Sequence, residues 1–236
     1  MNRRILVFAS LLALLGGSAA GQNVPDTRMR GFTLTGLIGG AANTDLQRVT
    51  APDATAVAPL RRVTADTSPV VAGAIGYWPS RHWGIRVHGS FAPTRLEVRE
   101  SGGELGVEDD VFAQSGARLW TADLSLMIRA PVTPAGRIVP YLVIGGGVTG
   151  FATDRAESVV EATGEALEAH SIEPAGVIGL GTHIPLQRGR LALTFELTDH
   201  IFTTPIRDPV LGTDPDEQVG VSNHIRLLTG VTVRFR

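Results

Sequence analysis

The sequence contains neither cysteine nor lysine. Without cysteine, disulfide bonds and thiolate metal sites are excluded. Leaving histidine aside, the chain has 21 basic residues, and all of them are therefore Arg. Against 23 Asp and Glu they give a formal net charge of -2. A balance this close to neutrality offers no electrostatic basis for nucleic-acid binding, so we expect no nucleic-acid partner. Aromatic residues are also scarce, at 6% of the chain.

Long apolar runs are absent after the first two dozen residues. The one run near the start, Ile5–Leu15, follows Arg3 and Arg4 and precedes a stretch of small residues. This order is typical of a secretory signal peptide, and the run is shorter than the roughly 20 apolar residues that a transmembrane helix needs. We predict a cleaved signal peptide at 1–21 and one exported domain at 22–236.

In place of long runs, the sequence has alternation of period two, as in "WGIRVHGSF" (Trp83–Phe91). Such alternation predicts β-strands with two unlike faces. Most of the segments with this pattern reach ten residues, which exceeds the usual strand length of soluble sheets and matches the roughly 9–11 residues of a tilted strand that crosses a bilayer. The eight predicted strands are 31–41, 69–78, a segment that starts at 83 and continues past Pro93, 118–130, 138–151, 173–185, 190–200 and 223–235.

The connections between these strands alternate between short and long. The short ones are "PSRH", "PVTPAGR" and "LQRG"; the long ones are 42–68, 97–117, 152–172 and 201–222, and they carry most of the acidic residues. Outer-membrane barrels have short periplasmic turns and long external loops. The pattern therefore predicts an all-β fold in the outer membrane: an eight-stranded antiparallel up-and-down transmembrane β-barrel with short periplasmic turns and long external loops.

One face of the predicted strands is free of charge over most of its length. A charge at mid-bilayer on the lipid face costs roughly 2–4 kcal/mol, so we predict that this face contacts lipid. Aromatic residues near the strand ends, among them Tyr77, Trp78, Tyr141, Phe151 and Phe202, are expected to form interfacial girdles. The predicted lipid-facing residues are Trp83, Ile85, Val87, Phe91, Trp120, Leu124, Leu126, Phe195, Val231, Val233 and Phe235.

The opposite face carries small residues and isolated charges, which suits the interior of an eight-stranded barrel, where only side chains fit. We predict that Glu196 pairs with Arg226 on the adjacent strand and that Asp123 pairs with Arg86 or His88, because an unpaired buried ion is costly. Simple hydration of these groups in a wet lumen is the alternative. The predicted lumenal network comprises Arg86, His88, Asp123, Arg129, Glu196, Arg226 and Arg234.

The segments "PYLVIGGGVTGF", "LALTFELTDH" and "RLLTGVTVRF" resemble those of the small outer-membrane β-barrels, the group that includes the OmpA transmembrane domain, OmpX and OmpW. The resemblance implies a C-terminal aromatic residue that the barrel-assembly machinery reads. Phe235 is similar to that residue, although Arg236 follows it. The expected partners are outer-membrane lipid, lipopolysaccharide and the barrel-assembly machinery, and the expected state is a monomer.

Enzymatic and metal chemistry receive weaker support. Glu196, Asp199, His200, Ser222 and His224 could be imagined as a Ser–His–acid arrangement of a lipid-A-modifying barrel, but no deacylase motif accompanies them. The acidic residues Glu104, Glu108, Asp109 and Asp110 lack the regular ligand spacing of a Ca²⁺ loop. The six His are scattered, without zinc-site spacing, and "IGGGVTG" lacks the Lys of a phosphate-binding loop. No catalytic, cofactor or metal residues are expected.

The function predicted from these features is structural or interactive, through external loops on a barrel whose lumen is largely plugged by side chains. A narrow channel for small solutes or apolar compounds is the alternative. A lipid-A-modifying enzyme and a soluble lipocalin-like carrier rank below both.

Overall fold

A computed structural model describes residues 30–43, 47–49, 60–101, 110–130, 138–153, 170–186, 190–203 and 221–235. The predicted signal peptide at 1–21 and the acidic residues Glu104, Glu108 and Asp109 lie outside these ranges. Within them, no helix is long and apolar enough to cross a membrane.

Ten strands make up the described part of the chain. They are β1 (Gly31–Asn43), β2 (Gln47–Val49), β3 (Leu60–Ala65), β4 (Ser68–Trp78), β5 (Trp83–Ser101), β6 (Asp110–Arg129), β7 (Val139–Thr153), β8 (His170–Pro185), β9 (Leu191–Thr203) and β10 (Val221–Phe235).

Eight of the strands form a closed antiparallel barrel in the order β1-β4-β5-β6-β7-β8-β9-β10. The first and last strands close it, from the pair Phe32 and Phe235 to the pair Asn43 and His224. Strands β2 and β3 lie outside this circuit, where β3 extends the sheet by pairing with the distal part of β5. The predicted all-β, eight-stranded antiparallel barrel is confirmed.

The barrel has two distinguishable ends. At the turn end, the connections are 79–82, 130–138 and 186–190, and β1 begins beside the last residues of β10. The 79–82 turn is held by Ser80, whose Oγ accepts hydrogen bonds from the backbone N–H groups of His82 (3.1 Å) and Trp83 (3.0 Å). At the loop end are the connections 44–67, 102–109, 154–169 and 204–220.

Two predicted loops at the loop end contain more strand than the sequence indicates. β5 continues to Ser101 and β6 begins at Asp110, so the two strands pair through most of the predicted loop 97–117, with a register shift between Val98 and Arg99. The predicted loop 42–68 holds β2 and β3. Backbone hydrogen bonds to a neighbouring strand sustain these extensions, and they need no apolar alternation because they continue past the apolar belt.

The outer face of the barrel is an apolar belt. Val87 is 60% exposed, Leu124 61% and Ile75 61%. Every predicted lipid-facing residue lies on this face. Trp120 and Val233 are partly covered, and the Trp120 ring lies over Gly150, where a side chain would collide with it.

The predicted aromatic girdles are only partly correct. Phe32 and Tyr77 contact each other on the outer face at the turn end, with ring centroids 4.8 Å apart, and Trp83 and Phe235 are exposed at the same end. Four of the expected girdle residues point into the lumen instead, because their positions have the inward parity of their strands: Trp78, Tyr141, Phe151 and Phe202.

Side chains line the lumen in layers. Apolar side chains near the loop end form one buried cluster, which includes Leu37, Val70, Leu119, Phe151 and Phe202. A second buried cluster toward the turn end includes Trp78, Met127, Tyr141 and Val143. Polar and charged side chains lie between them on the inward face.

Candidate functional site in the lumen

The structure places all seven predicted lumenal residues on the inward face of their strands. Arg86, His88, Asp123, Arg129, Glu196 and Arg226 are buried, and Arg234, close to the turn end, is half-buried. Their neighbours on the same strands alternate outward, as the period of two requires.

The first group of contacts joins Arg86, Glu196 and Tyr141. Arg86 Nη1 donates a hydrogen bond to Glu196 Oε2 (2.5 Å), and Tyr141 Oη donates to the same oxygen (2.9 Å). The predicted pair of Glu196 with Arg226 is therefore wrong. The prediction considered only adjacent strands, whereas Arg86 on β5 and Glu196 on β9 face each other across the lumen.

Arg226 is fully buried among hydroxyl groups. Its Nη1 donates to Ser90 Oγ (2.6 Å) and Thr121 Oγ1 (2.9 Å), while Nε (3.2 Å) and Nη2 (3.1 Å) donate to Thr198 Oγ1. The carboxylates of Asp123 and Glu196 attract its charge without direct contact. These hydrogen bonds connect β10 with β5 and β6 on the far side of the barrel.

Asp123 joins two histidines. Its Oδ2 lies 2.9 Å from His88 Nδ1 and 3.2 Å from His200 Nε2, and its Oδ1 accepts a hydrogen bond from Ser125 Oγ (2.6 Å). Of the two partners expected for Asp123, the structure gives it His88, which is its direct cross-strand neighbour. The contact between His200 and Asp123 was not predicted, because β9 lies across the lumen from Asp123.

The three side chains of His88, Asp123 and His200 offer ligand atoms within 4.8 Å of one another, which is a spacing suited to a metal ion. Arg226 opposes a cation at this position, because its Nη2 lies 3.2 Å from His200 Nε2. Around this position, two buried cations, Arg86 and Arg226, already accompany the two carboxylates of Asp123 and Glu196.

Of the five residues considered for a Ser–His–acid arrangement, Asp199 lies on the outer side of β9. The other four, Glu196, His200, Ser222 and His224, point inward. His224 Nδ1 is hydrogen-bonded to Asn43 Oδ1 (2.6 Å). The external carboxylate of Asp199 therefore cannot orient a lumenal histidine for catalysis.

Toward the turn end, the lumen is lined by stacked rings and hydroxyl groups. The Arg129 guanidinium lies 3.3 Å from the centroid of the Trp78 ring, and its Nη1 donates to the carbonyl of Arg81 (3.4 Å). His183 stacks on Tyr141, with 4.6 Å between the ring centroids. A row of hydrogen bonds then runs from His183 through Thr194 and Thr232 to Thr35.

Comparisons with known proteins bear on the fold. No protein-family model and no curated protein sequence matches the chain. Among solved structures, the chain is similar to the outer membrane protein OprG from Pseudomonas aeruginosa, with a TM-score of 0.58 and 14% identity over 89% of this chain and 98% of that one. It is also similar to the outer membrane protein AlkL in DMPC lipid bilayers, with a TM-score of 0.50 and 15% identity over 94% and 97% of the two chains.

These similarities agree with the closed circuit of strands and with the apolar outer belt. The fold is that of the small eight-stranded outer-membrane β-barrels of Gram-negative bacteria.

Proposed function

We propose that this protein is an outer-membrane barrel with a closed lumen, which acts through the segments displayed at its loop end. The observation that carries the proposal is the set of hydrogen bonds that cross the lumen. Arg86 reaches Glu196, and Arg226 reaches Thr121, in each case on the opposite side of the barrel. These bonds support a lumen closed to ions.

The energetic cost of opening this lumen favours the proposal. A solute that passes must separate Arg86 from Glu196, and breaking a buried ion pair costs about 3–5 kcal/mol. Apolar packing on both sides of the network adds to the closure, since the clusters around Phe151 and Val143 are buried.

A binding partner would contact the loop end of the barrel. β5 and β6 stay paired as far as Glu100 and Asp110, and β3 pairs with the same part of β5, so these strands form a ribbon that extends the sheet at this end of the barrel. In an outer-membrane protein the longer connections face the outside. The ribbon would therefore hold the acidic segment 102–109 on the external side, available to ligands, a host surface or lipopolysaccharide.

Conductance in planar bilayers tests the closed lumen. We expect the refolded protein to give no steady single-channel current. The double variant Arg86→Ala/Glu196→Ala, which removes a cross-lumen pair without leaving a lone charge, should conduct. Phe195→Ala on the outer face is the matched control and should stay silent. Steady currents from the unmodified protein would contradict the proposal.

A second candidate function, uptake of small apolar compounds, is favoured by one observation. The lumen near the loop end is lined by apolar side chains, including Leu37, Leu119, Phe151 and Phe202. Entry of an apolar fluorophore into vesicles that contain the protein would test it. Phe151→Asp should abolish protein-dependent entry, whereas Phe195→Asn on the outer face should not. Equal entry with and without the protein would eliminate this candidate.

A further inference from the structure

The imidazole of His200 on β9 lies between two groups with opposite requirements. Its Nε2 is 3.2 Å from Asp123 Oδ2, and an ionised carboxylate only accepts hydrogen bonds. The same Nε2 is 3.2 Å from Arg226 Nη2, and a guanidinium only donates them. A neutral imidazole nitrogen is either a donor or an acceptor. His200 Nε2 can therefore satisfy Asp123 or Arg226, but not both at once.

The remaining contacts of this cluster decide which partner the neutral histidine takes. Asp123 already has His88 Nδ1 at 2.9 Å and a hydrogen bond from a neighbouring serine. Arg226 Nη2 has two N–H groups, one for Thr198 Oγ1 (3.1 Å) and one for His200 Nε2. His200 Nδ1 is buried and makes no hydrogen bond to the described residues, so it favours neither form. We therefore expect neutral His200 to carry its proton on Nδ1 and to accept from Arg226 at Nε2.

Charged and titratable groups surround His200 from several strands. They are Arg86 and His88 on β5, Asp123 on β6, Glu196 on β9, His224 and Arg226 on β10, and Asp199 on the outer side of β9, which also acts on Arg226. The ring of His224 is edge-on to His200, with 6.5 Å between the centroids. Glu196 already accepts two hydrogen bonds. A proton on His200 therefore adds a positive charge beside Arg226, and Asp123 is the described carboxylate within hydrogen-bonding distance of it.

A proton taken up by His200 exchanges its partners. Both ring nitrogens of an imidazolium are donors, so Nε2 donates to Asp123 and no longer accepts from Arg226. Two like charges would then face each other across 3.2 Å, in an interior that screens charge poorly. The repulsion by which Arg226 opposes a metal ion at this position acts on the proton as well. Arg226 is the group that can move away, because its other hydrogen bonds go to neutral hydroxyl groups on β5, β6 and β9.

We propose that His200 and Arg226 form an acid-sensitive gate, in which protonation of His200 moves Arg226 away from Ser90 and Thr121 and opens the middle of the lumen to small ions. The proposal rests on the proposed function, because it takes the closed lumen as the state at neutral pH. The hydrogen bonds of Arg226 to Ser90 and Thr121 join opposite sides of the barrel, so their loss removes a contact that closes it. Histidine changes its charge between about pH 5 and 8, which makes acidification the signal.

Conductance measured as a function of pH tests the gate. The unmodified protein in planar bilayers should be silent at about pH 7.5 and should give steady single-channel currents as the pH falls toward about 4.5, still above the range of free carboxylates. The open fraction should rise by at most about tenfold for each pH unit, which is the limit for one proton. His200→Gln, whose side-chain oxygen can accept from Arg226 but takes up no proton, should stay silent throughout.

His82→Gln is the matched control, because His82 is exposed in the 79–82 turn, and it should keep the full acid response. Steady currents from the unmodified protein at neutral pH would contradict the closed lumen, and thus the proposed function. Silence of the unmodified protein at every pH, or equal acid currents in His200→Gln, would leave the closed lumen standing and overturn the gate. The heat-modified gel shift of folded barrels verifies that each variant is folded.

Nitrogen NMR of the unmodified protein with labelled imidazole rings keeps the test decisive if His200→Gln does not fold. At neutral pH the His200 signals should be those of a neutral ring with its proton on Nδ1. On acidification both nitrogens should become protonated over the same pH range in which the currents begin. A proton on Nε2 at neutral pH, or a His200 that stays neutral while currents appear, would overturn the proposal. This readout does not depend on a closed lumen.

Discussion

The two faces of β5 are stabilised in different ways. On the inward face, Arg86 and His88 each have one specified partner, Glu196 and Asp123. On the outward face, Val87 is 60% exposed and needs only an apolar surrounding. An outward residue therefore needs only an apolar side chain, whereas an inward residue needs a particular partner within reach. The effect of an inward substitution on stability should depend on the partner that is lost, and the effect of an outward substitution should depend on its depth in the membrane.

The largest effect is expected where a lumenal ion loses its partner. Glu196→Ala leaves the guanidinium of Arg86 buried and without its carboxylate, and it should lower the free energy of unfolding by about 3–5 kcal/mol. Urea unfolding of the refolded protein in vesicles measures this loss.

The matched double variant, Arg86→Met/Glu196→Leu, should recover most of that stability, because apolar residues of similar volume replace a buried pair at little cost. Phe195→Leu, next to Glu196 but on the outer face, should change stability by less than about 1.5 kcal/mol. A double variant as unstable as Glu196→Ala would show that the pair itself is not the source of the loss.

A slightly smaller effect is expected from a charge on the outer face. Val87→Arg puts a guanidinium in the middle of the apolar belt and should cost about 2–4 kcal/mol. The same change at Val221, on the outer face at the loop end, should cost only about 0–1 kcal/mol. Equal and large losses in the free energy of unfolding at the two positions would contradict the dependence on depth. Small losses at both positions would argue against a belt that faces the membrane.

The smallest of the three effects concerns glycine. A Cβ at Gly147 would collide with the carbonyl of Ala122 and the backbone of Asp123 on β6. Gly147→Ala should therefore displace Asp123 and its histidines and cost about 1–3 kcal/mol. At Gly36, on the outer face, a Cβ meets no atom within 4 Å, so Gly36→Ala should change stability by less than about 0.5 kcal/mol. Similar losses for both variants in the same urea titration would contradict this contrast.

Much of the fold could be predicted from the sequence because the membrane imposes a regular pattern. Alternation located the eight barrel strands to within a few residues at the turn end, where Trp78 and Trp83 end and begin strands as expected. The parity of a strand also assigns its residues to faces, so Arg86 and Val87 could be placed on opposite sides of β5 without any structure.

The contacts inside the lumen could not be predicted in the same way. The alternation of residues along β9 predicts that Glu196 points inward, but it does not predict which strand faces β9 across the barrel. Its partner proved to be Arg86 on a distant strand. The same limitation explains why His200 was not assigned to Asp123. Strands β2 and β3 were missed because a polar sheet extension has no lipid face to impose alternation.

The seam between β1 and β10 has a consequence for how the chain folds. The strand that begins at Gly31 is hydrogen-bonded along its length to the strand that ends at Phe235. The circuit therefore cannot close until β10 has been synthesised and has reached the membrane. Contacts between such distant parts of a sequence form slowly, and until they form both strands have unpaired edges that can bind other chains. A chaperone that shields those two edges would therefore speed the folding of the barrel more than one that binds an internal hairpin.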